Sequence, residues 1–222
     1  MKRIFDYFKK NKYALLSFYF LIYVIGFFII ERLPMPEYWV SYIPLDDKIP
    51  FCRYFIYPYC MWYPFLAVCG LYLLIKKEEQ PFRDYMWFII IGFTGTLIFC
   101  ILFPNGQDLR ATELGNSITD RLIKFIYTAD TNTNVIPSMH IIGTVSGIIA
   151  MFRAKSQKGK LFKYVILVIG LAIMLATMFV KQHSALDVIV SLIVCVPLYL
   201  LTFAGGAKKI KAALRGKKKE NK

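Results

Sequence analysis

YVILVIGLAIMLATMFVKQHSALDVIVS, residues 164–191, decides how this chain is read. It opens with 17 uncharged, mostly apolar residues (164–180) and turns through Lys181-Gln182-His183. It then resumes an apolar run at 185 that carries one aspartate, Asp187. A run near 18 residues with few charges is long enough to cross a bilayer as a helix. Two such runs joined by so short a polar turn predict an antiparallel pair of membrane helices.

Outward from this pair the pattern recurs. Apolar runs at 13–30, 55–75, 86–103, 138–152, 164–180 and 185–203 predict six transmembrane helices. The expected fold is one all-α integral membrane bundle over 13–204. The chain of 222 residues is 57% hydrophobic and 17% aromatic, too apolar for an ordinary soluble domain. The first run lacks a small-residue cleavage pattern and reads as a retained helix rather than a signal peptide.

The net charge of +14 is unevenly spread. The basic N-terminal arm (1–12), the loops 76–84 and 153–163, and the basic tail (205–222) hold 21 of the 28 lysines and arginines. The opposite loops hold 9 of the 14 carboxylates. This is a positive-inside bias, so both termini are expected in the cytoplasm and no nucleic-acid partner is implied. The tail KKIKAALRGKKKENK also suits contact with anionic lipid head groups. Five cysteines (Cys52, Cys60, Cys69, Cys100, Cys195) show no metal-ligand spacing. Cys69 and Cys195 read as core residues, while Cys52 and Cys60 lie near the outer face, where they could pair in an oxidising compartment.

Polar residues then mark a site. The longest outer loop, 104–137, opens on Pro104-Asn105-Gly106, which reads as a turn. Within it RLIKFIYTA (121–129) reads as a short interfacial helix, and Pro137 suits the first turn of the fourth span. Ser138 and His140 then fall at a helix N-terminus, where unpaired N–H groups and the helix dipole favour an anion such as phosphate. Taken alone, Ser138 is equally what a plain helix cap looks like. The fifth helix runs outward, so His183 reaches the same level as His140, the chain's other histidine. Asp187 follows His183 by four residues, a spacing that on a helix stacks the two on one face. An aspartate in an apolar helix needs a polar partner. A histidine ring N–H satisfies it and leaves the other ring nitrogen free as nucleophile or base. Arg110 carries a fork suited to phosphate oxygens. Lys181 is a second candidate phosphate ligand, or a snorkelling residue at a helix end. The sequence has no carboxylate–histidine cluster suited to two metals and no Gly-rich phosphate loop with its lysine. Phosphate chemistry is therefore expected to run on side chains, with no metal and no cofactor.

The tetrapeptide Pro137-Ser138-Met139-His140, followed by His183-Ser184-Ala185-Leu186-Asp187, resembles the type-2 phosphatidic acid phosphatase superfamily. Six helices with both motifs at one face are similar to that family too. Its first motif places lysine and Arg-Pro where this chain has Phe103 and Arg110-Ala111, and its Ser-Arg pair falls on Ala176-Thr177. The Lys181-Gln182-His183 variant looks like the branch of bacterial phosphatases and sphingolipid-type phosphotransferases. The resemblance implies a multi-pass lipid phosphatase with His183 as nucleophile, Asp187 orienting it and His140 as acid and base. Arg110, Lys181 and Ser138 would hold the phosphate. The expected partners are the bilayer and a membrane lipid phosphate, such as undecaprenyl diphosphate, phosphatidylglycerophosphate or phosphatidic acid. Two other readings remain: a lipid phosphotransferase using the same residues, and a transporter or scaffold. Against the latter, residues 1–104 and 105–222 show no internal repeat.

Overall fold

The computed structural model of the protein describes residues 8–34, 37–156 and 159–206. The first seven residues and the tail from 207, whose charges underlie the expected orientation, lie outside the described residues. A 3-10 segment, Lys12–Phe18, leads into α1 (Tyr19–Glu31). A turn at Arg53–Phe55 leads through α2 (Ile56–Cys60) into α3 (Trp62–Ile75). Then come α4 (Glu79–Leu102), α5 (Ile118–Ala129), α6 (Met139–Arg153), α7 (Lys160–Phe179) and α8 (Ala185–Leu201).

The described chain is mostly helical, and four stretches are long and apolar enough to cross a membrane: Lys12–Glu31, Arg53–Ile75, Glu79–Leu102 and Lys160–Phe179. Helices α6 and α8 are apolar but shorter, at 15 and 17 residues. Their length is about 22–26 Å against a hydrocarbon core of about 30 Å. The apolar run expected from 86 belongs to a helix that starts at Glu79. A charged first turn does not stop a helix, and here Arg83 pairs with Glu79 at 2.7 Å one turn away.

Helix α6 occupies the middle of the bundle, against α3, α4, α7 and α8. Two glycines allow this. A Cβ on Gly147 would lie 2.7 Å from the Phe65 ring, and one on Gly143 3.1 Å from Leu66 and 3.2 Å from Trp62 Nε1. Small residues one turn apart let membrane helices approach at backbone distance. The outer faces of α1, α7 and α8 expose large aliphatic side chains such as Ile22, Ile25, Val168 and Ile193. Such a continuous apolar exterior is what a lipid-facing surface requires.

The loops at the end holding the N-termini of α6 and α8 are tied together by backbone pairing. Strand β1 (Trp39–Val40) runs parallel to β2 (Asn105–Gly106), and Gly106 bridges Thr133 on its other side. The expected turn at Pro104-Asn105-Gly106 is therefore a strand. Its glycine is required by close approach: a Cβ there would lie 2.6 Å from the Tyr38 ring and 2.9 Å from the Asn132 carbonyl. Asn105 is buried, accepting from the Ile136 N–H at 2.9 Å and donating to the Phe103 carbonyl at 2.8 Å. Helix α5 contains the expected 121–129 segment and starts earlier, because Ser117 and Asp120 form a capping box that Arg53 reinforces at 2.9 Å. All five cysteines are free thiols, so Cys52 and Cys60 do not pair.

Candidate active site

Ser138 is the N-cap of α6, and Pro137 stands before the cap rather than in the first turn. The Ser138 side chain does not cap the helix. Its Oγ lies 3.1 Å from His183 Nε2, and its own N–H donates to Ser191 Oγ at 2.6 Å. The amides of the first turn of α6 thus keep no side-chain cap, and the hydroxyl is turned into the site.

His183 is delivered by the turn between α7 and α8. The N–H groups of Gln182 and His183 both donate to the Thr177 carbonyl at 3.0 Å. Lys181 takes the left-handed conformation at φ 55°, which a side chain bearing Cβ adopts only at a cost. His183 precedes the N-cap Ser184, so it does not stack along a helix face as its spacing to Asp187 suggested. A capping box makes the contact instead: Asp187 Oδ2 accepts from the Ser184 N–H at 3.0 Å and meets His183 Nδ1 at 3.1 Å. Asp187 Oδ1 accepts a hydrogen bond from Ser41 Oγ. Asp46 accepts from Ser184 Oγ at 2.8 Å and from the Ala185 N–H at 2.7 Å, placing a carboxylate where the dipole of α8 favours one.

His140 projects from the first turn of α6 with its ring centroid 5.5 Å from that of His183. Its Nδ1 lies 3.4 Å from His183 Nε2. The ring is wedged against Trp62 at 4.3 Å and Tyr59 at 4.7 Å. Both histidines are buried. A carboxylate accepts only, so Asp187 keeps the His183 proton on Nδ1 and leaves a lone pair on Nε2, facing Ser138 and His140. The arrangement supplies an oriented nitrogen nucleophile with a hydroxyl donor and a second imidazole beside it.

The two expected cationic ligands are placed differently. Arg110 donates to the Tyr127 carbonyl at 2.8 Å and the Asp130 carbonyl at 2.5 Å, with its guanidinium over the Tyr127 ring. Burial holds its pKa below the usual arginine value. Lys181 Nζ donates to the Asp46 and Ile49 carbonyls at 2.9 and 2.6 Å. A part-buried cation needs acceptors, and backbone carbonyls take both side chains here, leaving Arg110 Nε without a partner. The structure therefore brings Ser138, His140, His183 and Asp187 together and leaves Arg110 and Lys181 off the cavity lining. Thr177, where the resemblance puts arginine, is buried and donates to the Met174 carbonyl at 2.7 Å.

A cavity of about 110 Å³ opens beside the histidine pair, and an apolar cleft of about 330 Å³ adjoins it. The two share Tyr23, Val24, Trp62 and Tyr63 between α1 and α3. Sequence reasoning missed Ser41, Asp46, Gln107 and Asn134. Gln107 donates to the Lys181 carbonyl at 3.0 Å, and Asn134 Nδ2 to Glu31 Oε2 at 3.1 Å. Only the polarity of their loops marked them. Among the described residues no group of three or more His, Cys, Asp or Glu side chains is arranged to hold a metal ion. No family model, curated protein or solved structure matches the chain.

Proposed function

We propose that this protein is a multi-pass membrane lipid phosphatase of the type-2 phosphatidic acid phosphatase kind, acting through a phosphohistidine. The observation that carries the reading is His183 Nε2 standing 3.1 Å from Ser138 Oγ and 3.4 Å from His140 Nδ1, while Asp187 holds Nδ1. In this reading α6 and α8 complete a set of six spans, both termini are cytoplasmic, and the site lies at the extracytoplasmic face.

His183 Nε2 attacks phosphorus and the bond to the lipid oxygen breaks. His140, protonated, gives its proton to that oxygen. Asp187 stabilises the imidazolium character that develops on His183. His140, now neutral, takes a proton from water, which attacks phosphorus and releases inorganic phosphate from Nε2. Ser138 and the first-turn amides of α6 receive the phosphoryl oxygens as charge redistributes. Arg110 and Lys181 join them only if their carbonyl contacts are exchanged for phosphate. The apolar cleft between α1 and α3 takes the hydrocarbon chain, which supports a lipid over a soluble substrate.

The test is a panel of lipid phosphates offered to the purified, detergent-solubilised chain in EDTA, for wild type and His183→Ala, with and without an acceptor alcohol. Release of inorganic phosphate by wild type alone supports the reading. Equal release by His183→Ala would sink it, and product that appears only with the acceptor would replace hydrolysis by transfer.

A further inference from the structure

The cavity beside the histidines is not lined as a site for phosphate alone. Asp130 lines it, and no lysine or arginine does so among the described residues. Glu31 is joined to two of its lining residues, accepting from the Thr131 N–H at 2.7 Å and from Asn134 Nδ2 at 3.1 Å. Tyr23, Trp62 and Tyr63 supply aromatic walls.

Two lining side chains also present acceptors without donors. Asn134 Oδ1 and Gln182 Oε1 are buried and make no hydrogen bond. Neither is an amide that can simply be turned over. Asn134 Nδ2 faces the Glu31 carboxylate, and Gln182 Nε2 faces Asp130 Oδ2 at 3.2 Å and the Asp130 carbonyl at 3.3 Å. A carboxylate must be met by the NH₂ end, which leaves each carbonyl oxygen without a donor from the chain. Buried acceptors of this kind call for a donor from outside the chain.

Aromatic faces, a carboxylate and orphaned acceptors converge on one chemistry, a small cation with N–H groups. We infer that the cavity formed by Asp130, Asn134, Gln182, Tyr23, Trp62 and Tyr63 binds a primary ammonium group carried by the substrate close to its phosphate. This rests on the phosphatase reading for the phosphate half and names the substrate class, an aminoalkyl phosphate. The ammonium belongs either to an ethanolamine head group esterified to the phosphate or to an amino-bearing lipid chain ending in a phosphate monoester. A polyol would also bring donors, but it gains little from a carboxylate-lined cavity without a cation.

The test titrates the detergent-solubilised full chain calorimetrically with inorganic phosphate, O-phosphoethanolamine, glycerol 3-phosphate and ethanolamine. Phosphoethanolamine should bind about tenfold or more tighter than inorganic phosphate or glycerol 3-phosphate. Asp130→Asn should bring that ratio close to one. Tyr63→Leu, at a half-exposed position that the fold does not depend on, should lower it about threefold. Equal affinities in wild type, or a ratio unchanged in both variants, would overturn the inference.

Phosphate binding without the amine preference removes this inference and leaves the phosphatase reading in place. Ethanolamine binding that Asp130→Asn abolishes, with no phosphate binding, does the reverse. Binding of neither removes both. In mixed micelles, release of phosphoethanolamine from a diacyl lipid assigns the head-group source, and release of inorganic phosphate from a long-chain amino-alkyl phosphate assigns the other. Cleavage of phosphatidic acid with neither amino lipid cleaved would overturn the assignment.

Discussion

Ser41 and Asp187 lie 146 positions apart and share a buried hydrogen bond from hydroxyl to carboxylate. That contact joins the β1 loop to the helix that orients His183, and both residues are fully buried. Ser41→Ala leaves Asp187 Oδ1 without its donor. The expected cost is about 1–3 kcal/mol of stability. Because the carboxylate then loses its fixed position, kcat should fall about tenfold with KM unchanged. Thermal unfolding and steady-state kinetics read the two effects separately, and wild-type kcat would mean the hydroxyl does not position the site.

Asp187→Asn is the harsher change. The amide can still receive the Ser184 N–H through its oxygen, so the turn is expected to fold. Yet with its oxygen in the Oδ2 position its NH₂ meets Ser41 Oγ, and the neutral amide no longer stabilises a charged imidazole on His183. A drop of about 10⁴-fold in kcat is expected, as for other histidines stripped of an orienting carboxylate. Loss of phosphohistidine in acid-sensitive labelling, with a normal melting temperature, is the supporting result.

The bundle and the histidine pair were legible in the sequence for physical reasons that do not extend to the loops. Lipid forces long apolar runs, so the helices announce themselves. Even so, hydropathy misses the charged first turn of α4 at Glu79. His140, His183 and Asp187 stand out because polar groups next to apolar runs need partners. Ser41, Asp46 and Asn134 sit in polar loops, where nothing local separates a structural partner from a solvated residue. Their roles come from contacts with Asp187, Ser184 and Glu31 more than 100 positions away. Asn105–Gly106 has turn chemistry in sequence and a strand in space, because the neighbouring chain, not the dipeptide, decides the pairing. Arg110 and Lys181, the two cations expected to hold phosphate, donate to backbone carbonyls, for Lys181 in a loop more than 130 positions away, which nothing in their own neighbourhood announces.

Close packing of α6 predicts an asymmetry between glycines. Gly147→Val would drive side-chain atoms into Phe65 and Cys69, at a cost of about 1–3 kcal/mol or more. It would also shift the helix that carries His140. Gly95→Ala meets nothing within 4 Å and should leave both melting temperature and activity at wild-type values. Similar melting temperatures for the two variants would contradict the close approach of α6 to α3.

Asp120 makes a testable contribution to acid stability. The Ser117 hydroxyl lowers its pKa first, burial opposes this, and the Ser117 N–H and Arg53 lower it further. With the folded value below the unfolded one, the stabilisation is present above the unfolded carboxylate pKa. It is lost as pH falls through the folded value. The melting-temperature gap between wild type and Asp120→Asn should therefore be widest near neutrality and close on acidification. A gap that grows toward low pH would reverse the assignment.

The last prediction separates the two imidazoles by role. His183 must be unprotonated to attack and His140 protonated to donate, so the pH dependence of kcat should be bell-shaped. Removing the acid acts differently from removing the nucleophile. In His140→Ala the leaving oxygen departs without a proton, so the penalty depends on how well it bears charge. About 10²–10⁴-fold should be lost on an alkyl lipid phosphate, and much less on a phosphate ester with an acidic phenol leaving group. His140→Ala should also lose the alkaline limb of the profile, while His183→Ala should be inactive on both esters. Equal losses on both esters for His140→Ala would reassign that ring from proton donor to a wall between Trp62 and the nucleophile.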